Sequence, residues 1–141
     1  MNFSKDSKIL IVGLGLIGGS YAQALTDKGY YVGAVARRKE TIDYALNKGL
    51  ISSGVTEVTK EYVSQFDVIV FALYPKVFIE WIEKYQDYIK DGALLTDVTG
   101  VKRSVVYDVQ SMLKDTIEFI GAHPMAGKEV SGVQNSDDGI F

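Results

Sequence analysis

The chain has 141 residues, enough for one domain with a hydrophobic core, and 47% hydrophobic with 23% charged residues is ordinary for a globular protein. The net charge of -3 excludes the basic surface on which nucleic-acid binding depends, and no apolar run approaches a membrane span. Without cysteine, and with a single histidine, the chain has no second residue of these types to complete a metal site, although carboxylates remain, and we predict no metal site. The segment Met1–Ser7 lacks the apolar core of a signal peptide, so we expect a cytoplasmic protein.

A glycine-rich turn follows the first strong strand pattern. The apolar run Ile9–Val12 is typical of a strand buried on both faces of a parallel sheet, and a helical pattern then continues to Gly29. The glycines between them have the spacing GxGxxG, which allows a tight turn, a close backbone approach to a diphosphate, and close packing of the helix on the strand. The alternative is a purely structural turn. We predict a dinucleotide site that includes Gly13, Gly15, Leu16, Ile17 and Gly18.

The end of the second predicted strand, Tyr30–Ala36, bears on which dinucleotide binds. NAD-binding folds carry an acidic residue there, which accepts hydrogen bonds from the ribose and would repel a 2′-phosphate. In this chain the position falls near the neutral Ala36, and the guanidinium groups of Arg37 and Arg38 follow, which suit a phosphate. The sequence therefore favours NADP over NAD. Glu40 keeps NAD open, and the basic run is alternatively the solvated start of a helix.

Strand and helix patterns alternate through the rest of the chain, with no internal repeat and no low-complexity linker. Strand patterns cover Phe66–Leu73, Ala93–Thr96 and Ile117–Ala122, and helical patterns cover Thr41–Lys48, Val77–Tyr85 and Lys102–Leu113. The segment Ile51–Val58 is ambiguous. This order predicts an α/β fold with a doubly wound, mostly parallel sheet of the Rossmann type. We expect the apolar and aromatic stripe within Val77–Tyr85 to pack in the core.

Three loops are predicted at the carboxyl edge of this sheet, where doubly wound folds bind ligands. The first follows Phe66–Leu73 and predicts that Ala72, Leu73 and Tyr74 contact the cofactor. The second begins at Asp97, which is either a cofactor contact or a residue that caps the following turn. Both interpretations stay open from the sequence alone.

The third loop contains His123, the only histidine of the chain. A neutral imidazole at this edge can accept a proton from a substrate hydroxyl while a hydride leaves the substrate. The alternative is a buried histidine whose nitrogens are satisfied by backbone groups. Spacing does not distinguish these two interpretations.

Three motifs give the chain a resemblance to a known family. They are GLGLIGGS at Gly13–Ser20, TDVTGVK at Thr96–Lys102 and GAHPMAGKEVSG at Gly121–Gly132. With them the chain resembles the prephenate dehydrogenase (TyrA) family, including the arogenate dehydrogenases. The resemblance implies an NAD(P)-dependent oxidoreductase of tyrosine biosynthesis, which converts prephenate to 4-hydroxyphenylpyruvate by oxidative decarboxylation. It also implies that His123 helps to remove the proton of the ring hydroxyl.

Two departures from the family pattern affect the expected site. Many members carry glycine and then serine in the second motif, and that serine contacts histidine and substrate. This chain has Thr99 and then Gly100, so we expect Thr99 to take over the catalytic hydroxyl from the adjacent position.

Family members are also longer than this chain, with a helical C-terminal domain that dimerises and binds substrate. We therefore expect residues 1–141 to be the dinucleotide-binding domain, with a homodimer in the full-length parent. The expected partner is a small molecule, prephenate or arogenate, and neither nucleic acid nor membrane. By itself the chain is expected to bind cofactor with little turnover. The alternatives are an arogenate dehydrogenase or a nucleotide-binding regulatory module without catalysis.

Overall fold

The computed structural model of the chain describes residues 4–121, which form one six-stranded sheet and its helices. The strands are β1 (Lys8–Val12), β2 (Tyr31–Val35), β3 (Ser53–Val55), β4 (Val68–Phe71), β5 (Leu94–Asp97) and β6 (Glu118–Gly121). The helices are α1 (Leu16–Asp27), α2 (Lys39–Asn47), α3 (Lys60–Val63), α4 (Pro75–Tyr85) and α5 (Arg103–Met112), with a short 3-10 helix at Gln86–Tyr88. No helix within residues 4–121 combines the length and apolar character needed to cross a membrane.

The strand order is β3-β2-β1-β4-β5-β6, and every neighbouring pair is parallel. The chain winds outward from β1 to β3 and then returns past β1 to build the other half from β4 to β6. Ligands of such sheets bind beyond the carboxyl ends of the strands where the winding direction changes, which here is between β1 and β4. The predicted doubly wound Rossmann-type fold is therefore confirmed.

Both faces of the central strands are covered, which explains their uninterrupted apolar sequence. In β1, Ile9 and Ile11 belong to the buried cluster on one face, whereas Leu10 and Val12 belong to the cluster on the other. None of these four side chains is more than 2% exposed. The carboxyl end of β1 is thus held in a packed environment on both sides, and loops that follow it start from a rigid position.

The stripe on α4 packs in the core, as predicted. Phe78 is fully buried, and its ring centroid lies 4.8 Å from that of Phe71. Trp81 is 5.0 Å from the same Phe71 ring in an edge-to-face arrangement. Val77, at the start of the stripe, is 44% exposed and does not share this packing.

Three short elements were not predicted, and one of them is the 3-10 helix at Gln86–Tyr88. The ambiguous segment Ile51–Val58 contains the three-residue edge strand β3, and the four-residue helix α3 follows it. Thr59 caps α3, because its side chain accepts a hydrogen bond from the Tyr62 N–H at 3.2 Å. Elements this short do not contain a full hydrophobic period, so the sequence pattern gives no signal for them.

Asp67, which precedes β4, connects the starts of β1, β4 and β5 at the end of the sheet opposite the glycine turn. Its carboxylate accepts a hydrogen bond from the Lys8 N–H at 2.8 Å and forms an ion pair with Lys90, and its carbonyl accepts the Leu94 N–H at 3.0 Å. Burial acts to raise the pKa of the Asp67 carboxyl, but the hydrogen bonds and charges of Lys90 and Lys8 outweigh burial and lower it. The ionised carboxylate therefore stabilises the fold.

We expect Asp67→Asn to reduce the free energy of unfolding by about 1 kcal/mol at pH 7, because it removes the charge that binds Lys90. A lowered pKa in the folded state means that the stabilisation is complete above the ordinary aspartate pKa of about 4 and is lost as pH falls through the folded value. Urea unfolding of both proteins at pH 7 and pH 3 measures this. An equal difference at the two pH values would show that the charge of Asp67 is not its source.

Candidate functional site

The turn after β1 is fixed by close contact with its neighbours. Gly13 has φ +99°, a left-handed conformation that favours glycine, and its N–H donates to the Val35 carbonyl at the end of β2, at 2.9 Å. A Cβ at Gly13 would lie 2.4 Å from the Ala72 carbonyl oxygen. The turn is therefore attached to β2 on one side and packs against the loop after β4 on the other.

Gly18 brings the start of α1 against this turn. A Cβ at Gly18 would lie 1.9 Å from the Gly13 carbonyl oxygen and 3.2 Å from the Ala72 Cβ. No residue with a Cβ fits at this position without a shift of the backbone. Leu16 is buried in the same first turn and Ile17 is half-buried, so the start of the helix is anchored to the core.

Gly15 has the opposite environment, because a Cβ built there would meet no heavy atom within 4 Å. This residue precedes α1 without a side-chain hydrogen bond to the helix, and the first turn has no acidic residue. Uncapped N–H groups and the positive end of the helix dipole lie beside an open space. These features fit the diphosphate of a dinucleotide, which needs backbone donors and close access to them.

The end of β2 lacks a carboxylate. Ala36 is buried, and its N–H donates to the Val55 carbonyl at 3.2 Å. Arg37 and Arg38 follow as exposed residues, and neither forms an ion pair with any other residue in the range 4–121. Glu40, in the first turn of α2, is the nearest acidic residue in the sequence and is also exposed.

The loop after β4 lies beside the glycine turn. The Ala72 N–H donates to the Val12 carbonyl at 2.9 Å, so this loop leaves the sheet next to the end of β1. Leu73 is half-buried, and its Cδ2 would lie 3.1 Å from a Cβ at Gly13. Tyr74 is 84% exposed immediately before α4. The structure thus brings the predicted residues of the β1 and β4 loops together.

The loop after β5 is organised by Asp97, whose side chain is only 1% exposed. Its Oδ1 accepts from the Thr99 N–H at 3.2 Å and lies 2.7 Å from the Thr99 hydroxyl, and its Oδ2 accepts from the Val101 N–H at 3.1 Å. Gly100 has φ +75°. The carboxylate therefore holds the loop in its turn, which is the capping arrangement.

Tyr21 is a residue near this site that the sequence reasoning missed. Burial, and next the negative charge of Asp97, raise the pKa of its hydroxyl above the ordinary value. Like an ordinary tyrosine hydroxyl it is protonated at neutral pH and can donate a hydrogen bond, and the raised pKa extends this to higher pH. Its position in the sequence could have identified it, because residues three apart, such as Gly18 and Tyr21, are neighbours on one face of a helix.

His123 lies outside the described residues. The structure does show where its strand ends: Gly121, the last residue of β6, pairs with Asp97 at the end of β5. The chain therefore leaves β6 at the same edge as the glycine turn and the loops after β4 and β5.

Comparison with known proteins places this arrangement in a family. The family model described as "Prephenate dehydrogenase, nucleotide-binding domain" matches residues 21–141. The chain belongs to the prephenate dehydrogenase family. The expected membership is thus confirmed, and the matched part of the family is its nucleotide-binding domain.

The similar proteins include two bacterial prephenate dehydrogenases. The one from Lactococcus lactis is 34% identical over 95% of this chain, and the one from Bacillus subtilis is 32% identical over 100%. The chain spans 38% of the length of each relative.

Solved structures of the family have the same fold. A prephenate dehydrogenase from A. aeolicus, in complex with hydroxyphenyl propionate and NAD+, has a TM-score of 0.86 and 32% identity, covering 100% of this chain and 49% of that one. A Synechocystis arogenate dehydrogenase has a TM-score of 0.85 and 28% identity, covering 95% of this chain and 46% of that one.

The glycines of the turn are expected to differ in their tolerance of a methyl group. Gly18→Ala should reduce the free energy of unfolding by about 3 kcal/mol or more, because its Cβ overlaps the Gly13 carbonyl. Gly15→Ala should change it by less than about 1 kcal/mol, because the site is open and its φ of -86° suits alanine. Urea unfolding followed by circular dichroism compares the two. Equal losses would contradict the difference in packing.

Proposed function

We propose that the chain is the NADP-binding part of a prephenate dehydrogenase, which oxidises and decarboxylates prephenate to 4-hydroxyphenylpyruvate. The main support for this proposal is the open space at Gly15 beside an uncapped helix N-terminus, because a diphosphate needs both backbone donors and room to approach them. Family membership supports the substrate class. The chain alone binds the cofactor and turns over little substrate, since the longer relatives contain a further portion of comparable size.

The preference for NADP follows from the charges at the end of β2. An acidic residue at Ala36 would bind ribose hydroxyls and repel a 2′-phosphate, and the side chain here is a buried methyl group. Arg37 and Arg38 have no ionic partner among residues 4–121, so their guanidinium groups are available to a phosphate. NAD remains the alternative because the carboxylate of Glu40 would accept hydrogen bonds from its ribose hydroxyls.

Proton removal is assigned to His123. Its imidazole accepts the proton of the C4 hydroxyl of prephenate, while the hydrogen on the same carbon leaves as hydride and the ring carboxylate leaves as carbon dioxide. The proton then returns to the phenolate oxygen, which gives 4-hydroxyphenylpyruvate. The nicotinamide supplies the hydride acceptor when it is bound. Aromatisation of the ring provides the driving force, so the main tasks of this chain are to orient cofactor and hydroxyl and to accept the proton. The ending of β6 beside Asp97 supports this role, because it brings the chain to the cofactor edge before His123.

Isothermal titration of the 141-residue chain tests the cofactor. We expect NADP to bind more tightly than NAD by about tenfold or more, the contribution of a charge-assisted contact to the 2′-phosphate. The double variant Arg37→Gln and Arg38→Gln should lose most of this preference by weakening NADP alone. Tighter binding of NAD to the wild-type chain would contradict the proposed specificity.

Gly15→Ala is the matched control in this titration. Its Cβ enters the open space without disturbing the fold, so it should weaken NADP and NAD equally. If neither dinucleotide binds the folded wild-type chain, the proposed site itself is wrong.

Replacement of His123 tests the chemistry in a version of the chain extended past Phe141. We expect His123→Asn to lower prephenate turnover by about two to four powers of ten, because asparagine cannot accept the proton, while the dissociation constant for NADP changes little. Formation of reduced cofactor, followed by absorbance, measures the rate. Assays with arogenate in parallel distinguish the alternative substrate, and retention of activity by the variant would refute the role of His123.

A further inference from the structure

The hydroxyl of Thr99, in the loop after β5, reaches the loop after β4. Thr99 Oγ1 lies 3.1 Å from the Leu73 carbonyl oxygen and 2.7 Å from Asp97 Oδ1. Both neighbours are acceptors, and the hydroxyl has one proton, so it donates to one of them at a time. The contact joins backbone segments that are 26 residues apart in the sequence.

The two residues that Thr99 contacts, Leu73 and Asp97, belong to different parts of the proposed site. The loop at Ala72 and Leu73 packs against Gly13, so it determines where the glycine turn lies relative to β4. Asp97 pairs with Gly121 at the end of the strand that precedes His123. Thr99 therefore lies between the segment that holds the cofactor and the segment that leads to the proposed proton acceptor.

We propose that Thr99 is a positioning residue, which fixes the loops after β4 and β5 at the spacing required by the nicotinamide half of the dinucleotide. The proposal rests on the proposed function and revises the expectation that Thr99 supplies a catalytic hydroxyl, since the single proton of that hydroxyl is already donated to either Asp97 or the Leu73 carbonyl. The two halves of a doubly wound sheet each bind one mononucleotide. The strands β1 to β3 serve the adenosine half, which leaves the β4 and β5 loops to the other half.

The test compares a whole dinucleotide with its adenosine fragment. The probes are the dinucleotide that the wild-type chain binds more tightly and its matching fragment, 2′,5′-ADP for NADP or 5′-ADP for NAD. Thr99→Val keeps the shape of the side chain and removes its hydroxyl, so we expect dinucleotide affinity to fall about threefold to tenfold while fragment affinity is unchanged. Thr99→Ser should restore affinity, because serine keeps the hydroxyl.

Thr26→Val is the matched control. The Thr26 hydroxyl also donates to a carbonyl, that of Leu50 at 2.7 Å, but it lies toward the far end of α1 from the glycine turn. We expect this variant to lower the melting temperature and leave both affinities unchanged. Equal weakening of fragment and dinucleotide by Thr99→Val, no weakening at all, or the same weakening by Thr26→Val would overturn the proposal.

Amide hydrogen exchange of the wild-type chain gives a second measurement if Thr99→Val does not fold. Adding the dinucleotide should slow exchange in residues 72–74 and 97–101 together, because one hydroxyl couples them. Slowing in only one loop would refute the coupling. Failure of the wild-type chain to bind any dinucleotide would instead refute the proposed function, so the two failures are distinguishable.

Discussion

The backbones of Gly13 and Gly18 lie in direct contact, and the arrangement of the whole carboxyl edge depends on it. Because a Cβ on Gly18 would lie 1.9 Å from the Gly13 carbonyl oxygen, α1 begins as close to β1 as two backbones permit. Strand β1 is buried on both faces, so the N-terminus of α1 lies against a densely packed part of the sheet. Donors that are already fixed in position lose little freedom when an anion binds, which favours binding at this point.

The ends of β2 and β5 differ in whether they carry a carboxylate. At Ala36, after β2, there is no carboxylate, and Arg37 and Arg38 form no ion pair with any residue in the range 4–121. After β5, the carboxylate of Asp97 is buried, and a buried charge without partners is costly. Donors from Thr99 and Val101 satisfy it, so the requirement to solvate one charge fixes the conformation of the loop. The first position is where we propose that the dinucleotide is selected, whereas the second shapes the loop after β5.

Sequence patterns predicted the parts of the fold that local chemistry determines. The runs Ile9–Val12 and Phe66–Leu73 are apolar throughout because their strands are covered on both faces, and the glycine spacing reflects contacts within the turn. The edge strand β3 and the helix α3 were not predicted, since neither is long enough to show a period. The role of Asp97 stayed open because the sequence does not show which hydrogen bonds its carboxylate accepts. The contact of Thr99 with Leu73 was not predicted because the two residues are 26 positions apart, too far for a local pattern to reveal.

The order Thr99–Gly100 has a conformational explanation. Gly100 has φ +75°, where a serine would be strained by about 1 kcal/mol or more. A chain that adopts this turn favours glycine at position 100, and a hydroxyl at position 99 then reaches Asp97 and the Leu73 carbonyl. Because the Thr99 hydroxyl lies within hydrogen-bond distance of Asp97 and the Leu73 carbonyl, we propose a positioning role for it and assign proton removal to His123. The order Thr99–Gly100 thus keeps a hydroxyl at the junction of the two loops.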